Sequence, residues 1–125
     1  MILDELLELI NQVIFDEIDC DAILDLRDCE PFESNWINLY NQMEQLKLKK
    51  GFSEESKRFS DEYRKSTFLQ VYNLSQNSDL ATCISDDFGL IFDSIQLSVT
   101  TPWLDKLIQS YRSSKIPCGN LYTMR

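Results

Sequence analysis

Apolar residues return every three or four positions along most of this chain, the period of a helix with one buried face. Leu3, Leu6, Leu7, Ile10, Val13 and Ile14 set that rhythm and predict an amphipathic helix ending near Phe15. A shorter helix is expected over Asp19 to Asp28, with Asp19 as its N-cap. Cys29-Glu30-Pro31 ends it, because the residue before a proline avoids helical geometry. Ser34 then caps a third helix with Trp36, Ile37, Leu39, Tyr40, Met43 and Leu46 as its apolar face. Gly51 stands where a C-cap belongs. Ser53 opens a fourth helix, with Glu54 and Glu55 favourably placed in its first turn. Its stripe is Phe59, Tyr63, Phe68, Val71 and Tyr72, and the polar run Ser75-Gln76-Asn77-Ser78 closes it.

Leu80 to Ile84 is too short to assign by period. Ser85 followed by Asp86 and Asp87 predicts a helix start, by capping and by the helix dipole. Phe88, Ile91, Phe92 and Ile95 would be its buried face. Thr101-Pro102 is the clearest start in the chain: Thr caps, Pro takes the first helical position, and Trp103, Leu104, Leu107, Ile108 and Tyr111 follow. From Lys115 onward, Pro117 and Gly119 predict an irregular tail.

Composition narrows the class. With 125 residues the chain reads as one domain, 1–125, able to bury a core of its own. Three glycines and three prolines are too few for the turns of an all-β fold. A 43% hydrophobic content excludes a disordered chain. The expected fold is all-α: a single-domain bundle of about five to six helices with an irregular C-terminal tail.

Charge changes the picture more. The net charge is −9 with no histidine, which argues against direct nucleic-acid binding and removes the usual general base and metal ligand. The charge is also concentrated. Residues 1–33 hold eleven acids against Arg27 alone, whereas residues 34–65 hold five acids and seven bases. If the second helix extends back by a few residues, Glu17, Asp21, Asp25 and Asp28 share one stripe, within roughly 80° of arc at 100° per residue. Ile18, Ala22, Ile23 and Leu26 would then face the core. Repulsion along such a stripe costs on the order of 1 kcal/mol in the free protein, and a cationic partner would relieve it. Asp16, Glu17, Asp21, Asp25, Asp28 and Glu30 are therefore the candidate partner-binding residues; the competing reading is a solvated face that maintains solubility.

Other chemistry is sparse. Asp19-Cys20-Asp21 has the alternation of a calcium-loop start, but Ile23 takes the next ligand position and the glycine is missing. The isolated glycines make no phosphate loop. Asp86 and Asp87 are neighbours on a helix and point about 100° apart, so they do not converge as a catalytic pair. Their expected role is to complement the dipole of a first turn. No catalytic residue, metal or cofactor is expected. Lys47, Lys49, Lys50, Lys57, Arg58, Arg64 and Lys65 flank Gly51 and read first as a lysine cluster at a helix C-terminus. Trp36 and Trp103 read first as core, and one of the two is a candidate interface anchor. Cys20, Cys29, Cys83 and Cys118 lack metal-site spacing and are expected as reduced thiols. Met1-Ile2-Leu3 runs into Asp4 and Glu5, unlike a secretory leader, so the expected compartment is cytoplasmic, with no membrane segment.

The C-terminal third carries a pattern. Ile84-Ser85-Asp86-Asp87-Phe88-Gly89-Leu90-Ile91, then Pro102-Trp103-Leu104, then Tyr111 and Ile116-Pro117, resembles small acidic bacterial immunity proteins. These accompany polymorphic toxins, including those of contact-dependent growth inhibition. The resemblance implies a cytoplasmic, non-catalytic inhibitor of one cognate toxin domain, and a basic nuclease would suit an acidic docking face. It carries over no toxin-contact residue. The alternative is an acidic helical adaptor or DNA mimic that binds basic nucleic-acid-binding proteins.

Overall fold

The computed structural model describes residues 2–13 and 15–123. Among these residues the chain is all-α, with six helices, one 3₁₀ turn and no strand. The order is α1 (Ile2–Ile10), the turn (Phe15–Glu17), α2 (Cys20–Arg27), α3 (Phe32–Lys50), α4 (Glu54–Ser75), α5 (Ser78–Leu97) and α6 (Pro102–Arg112). An irregular tail follows α6, as the proline and glycine there predict.

Three helix starts match the expected capping chemistry. The side chains of Asp19, Ser53 and Thr101 accept hydrogen bonds from the backbone N–H groups of Ala22, Ser56 and Leu104. Gly51 ends α3 with φ at +82°, a conformation that suits glycine. Ser34 does not cap α3. The helix starts earlier, because Phe32 is driven into the core, where its ring meets the edge of Trp103 at 5.3 Å between centroids. The first helix is shorter than its apolar period suggested. It closes after Ile10 in i→i−3 bonds from Asn11, Gln12 and Val13, and Phe15 is buried from the 3₁₀ turn instead. Ile14 lies outside the described residues.

The largest correction concerns α5. It does not begin at Ser85. Asn77, inside the polar run Ser75–Ser78, caps it, and Leu80 N–H donates to the Asn77 side chain at 3.0 Å. Ser85 sits in mid-helix, with its hydroxyl donating back to the Thr82 carbonyl. Asp86 and Asp87 are therefore not first-turn acids. From Asp87 to Ser94 every residue of α5 is buried, as expected of a helix enclosed on all sides. The short Gln76-Asn77 link folds α5 back along α4, and α1, α2 and α3 also pack against it.

Close packing of α4 on α5 relies on small residues. Ser60 and Thr67 are buried on α4, whereas Phe59 and Tyr72 of the expected stripe stay partly exposed. Opposite them, Gly89 leaves room for Arg64: a Cβ there would stand 2.6 Å from Arg64 Cδ. Arg64 crosses this gap to reach Asp86 at 2.6 Å. Gly89→Ala should therefore displace Arg64, offsetting a helix-propensity gain of about 1 kcal/mol. In an Arg64→Ala background the same substitution should stabilise by nearly that full amount. Urea denaturation of the four proteins in the cycle tests this, and equal effects in both backgrounds would sink it.

Candidate functional site

The interior of the bundle is organised by one carboxylate. Asp87 is fully buried, and its two oxygens accept four donors. Oδ1 accepts from Arg27 Nη2 at 2.7 Å and Trp36 Nε1 at 2.8 Å. Oδ2 accepts from Arg27 Nη1 at 2.9 Å and the Tyr111 hydroxyl at 2.5 Å. A carboxylate has about four lone-pair sites, so its acceptor capacity is filled. Arg27 also donates to the Pro117 carbonyl at 3.0 Å, which ties down the tail, and lies 4.6 Å from the Phe32 ring centroid. Burial opposes the Arg27 charge, but Asp87 outweighs it and holds the guanidinium pKa above its ordinary value. Burial, together with Asp87, also pushes the Tyr111 hydroxyl well above its usual range.

This arrangement sets the rotation of α2. Arg27 turns inward beside Ile23 and Leu24, so Ala22 and Leu26, expected in the core, are exposed. Pairing the arginine with Asp87 outweighs burying Leu26. Glu17 lies in the 3₁₀ turn, so the four-residue helical stripe does not form. All six candidate acids are nonetheless exposed. Asp21, Asp25 and Asp28 line one groove together with Asp79 from the start of α5. Among the described residues no ion pair engages any of these four. Asp16, Glu17 and Glu30 lie outside that groove's lining, before and after α2.

The groove continues. Asp28 and Cys83 also line a hollow containing Glu33, Trp36 and Ile37. Trp36 and Asp86 in turn line a cleft of about 520 Å³ between α3, α4 and α5. The three concavities thus adjoin through shared lining residues and are together called the furrow, with Trp36 lining the last two. Trp103 is buried, which leaves Trp36 as the tryptophan placed to meet a partner. Three of the seven bases in the cluster are ion-paired: Lys47 with Asp93 and Glu44, Arg64 with Asp86, and Lys57 with Glu54. Asp86 and Asp87 point to different partners and form no catalytic pair. All four cysteines are free thiols, and among the described residues no helix is long and apolar enough to cross a membrane.

A family model described as Immunity protein PIM1 matches residues 2–118. The chain belongs to this family of immunity proteins. No curated protein matches it. Membership in the PIM1 family makes a toxin the partner in general terms, and the furrow is the candidate contact surface. Asp21, Asp25 and Asp28 were legible from sequence as part of a charge cluster, whereas Asp79, which the fold brings beside them, was not. Trp36 was one of two equivalent aromatics, and Asp87 and Arg27 gave no sequence signal as a pair, because sixty positions separate them.

Two outcomes follow from the network. Asp87→Asn leaves the Arg27 charge buried without its counter-ion and should cost about 3–5 kcal/mol in urea denaturation, whereas Arg27→Met with Asp87→Leu should cost less than the single change. A double variant as unstable as the single one would contradict this. Tyr111 gives a pH signature. Its hydroxyl holds its proton more tightly folded than unfolded, so its contribution is complete below about pH 10 and lost as pH rises further. Stability should fall above pH 10 by about 1.4 kcal/mol per unit more steeply than in Tyr111→Phe. Parallel slopes for the two proteins would rule this out.

Proposed function

We propose that this PIM1-family protein acts in the cytoplasm as a non-catalytic inhibitor of one cognate toxin domain, a cationic nuclease from a polymorphic toxin system such as contact-dependent growth inhibition. The observation that carries the reading is the groove where Asp21, Asp25, Asp28 and Asp79 converge without an internal counter-ion. Docking a basic surface there relieves their mutual repulsion. The same charges raise the encounter rate with a cationic domain. Carboxylates held against a nuclease can occupy the positions its substrate phosphates use. Asp16, Glu17 and Glu30 extend the acidic surface beyond the ends of α2.

The fold is expected to tolerate reversal of these charges. Asp21→Lys forfeits a first-turn dipole interaction, while Asp28→Lys gains one at the opposite end, each about 0.3–1 kcal/mol. The triple variant Asp21→Lys, Asp25→Lys, Asp28→Lys should therefore stay within about 1 kcal/mol of the parent in stability. Its association with the cognate toxin domain at low salt should slow at least about tenfold, with a weaker salt dependence. Stopped-flow association alongside growth protection on co-expression checks both. An unchanged association rate would falsify the acidic face while leaving immunity intact. Comparable binding to several unrelated DNA-binding proteins would favour the DNA-mimic reading instead.

A further inference from the structure

We infer that the cleft between α3, α4 and α5 is an arginine-accepting site, receiving a guanidinium side chain from the basic partner proposed above. This rests on the reading of a cationic partner but concerns a different part of the furrow from the α2 groove. The platform is aromatic. Trp36 and Tyr40, one helical turn apart on α3, stack with ring centroids 5.5 Å apart and planes 14° apart. Trp36 is held from beneath by its hydrogen bond to Asp87, so the pair is ordered before any partner arrives. Tyr40 is 44% exposed and lines the cleft. A planar guanidinium stacks on such a ring better than a lysine ammonium does.

The charges of the cleft select a cation. Its bases are each engaged: Lys47 by Asp93 at 2.7 Å and Glu44 at 3.1 Å, Arg64 by Asp86 at 2.6 Å, and Lys57 by Glu54 at 3.2 Å. The acids are not all matched. Asp61 lines the cleft without an ion pair among the described residues. The Asp93 carboxylate, also in the lining, uses Oδ2 for Lys47 while its buried Oδ1 accepts no hydrogen bond among the described residues. The cleft therefore offers the exposed, unpaired Asp61 carboxylate beside an ordered aromatic face, whereas Asp93 Oδ1 is shut off from solvent. A guanidinium supplies up to five donors and a flat cation to that pair of features.

The test uses the full chain with hexa-arginine, hexalysine and hexaglutamate peptides. Binding is followed by the Trp36 indole N–H resonance, assigned with Trp36→Phe, and by titration calorimetry. Hexa-arginine should shift that resonance and bind about two- to fivefold tighter than hexalysine. Tyr40→Ala should abolish the preference. The α2 triple charge-reversal variant should weaken both peptides while the preference persists. Equal affinities, a preference insensitive to Tyr40→Ala, an unmoved Trp36 resonance, or a shift caused by hexaglutamate alone would overturn the arginine site. Failure of the α2 variant to weaken either peptide would count against the acidic groove alone, so the two readings fail separately.

Discussion

The buried Asp87 carboxylate is the constraint on which the rest of the structure depends. An ion in a low-dielectric interior is tolerated only when its charge is countered and its lone pairs are filled. Meeting that requirement recruits Arg27 from α2, Trp36 from α3, Tyr111 from α6 and, through Arg27, the Pro117 carbonyl of the tail. Four segments distant in sequence are thereby referenced to one point on α5. Apolar packing alone tolerates rotation and sliding of helices, whereas a four-donor carboxylate does not. The bidentate arginine fixes the rotation of α2, and the tyrosine and tryptophan fix the approach of α6 and α3.

That dependence explains which parts of the fold were legible in the sequence. Helix α6 was readable because Thr101, Pro102 and the apolar stripe after them act locally. So were the caps at Asp19, Ser53 and Gly51. The start of α5 was misread for a definite reason. Ser-Asp-Asp is good N-terminal chemistry on a solvated helix, but here those residues lie within a helix enclosed by neighbours, and Asp87 is satisfied by tertiary donors rather than by a dipole. The rotation of α2 failed for the same cause. Periodicity assigns leucine to the core and arginine to water, and it has no means of recognising an arginine whose partner lies sixty residues away.

The quoted resemblance to immunity proteins also gains a physical content. Asp87, Tyr111 and Pro117, three of the positions in that pattern, all belong to the network, and Trp103 packs on Phe32, whose ring lies against Arg27. The pattern therefore marks mainly the framework, although its Asp86, Gly89 and Leu90 also line the cleft. It includes none of the α2 acids proposed to meet a partner, and its own two aspartates are already engaged, Asp87 by Arg27 and Asp86 by Arg64. The match over residues 2–118 is consistent with a framework that spans the whole bundle.

Trp36 is where framework and surface meet. One edge of its indole is fixed by Asp87, one face is stacked on Tyr40, and its remaining surface forms the wall shared by the hollow and the cleft. The furrow thus combines two kinds of element with different physical effects. The unmatched carboxylates of the α2 groove act at a distance within the Debye length, so their effect falls mainly on encounter and on salt dependence. An ordered aromatic platform acts only at contact, where pre-organisation lowers the entropy lost on binding and prolongs the complex. A surface built only of α2 carboxylates would attract any basic domain. In the proposed reading, a fixed aromatic wall beside the Asp61 carboxylate would add a requirement of shape and side-chain type, by which a strongly acidic protein could select among cationic partners.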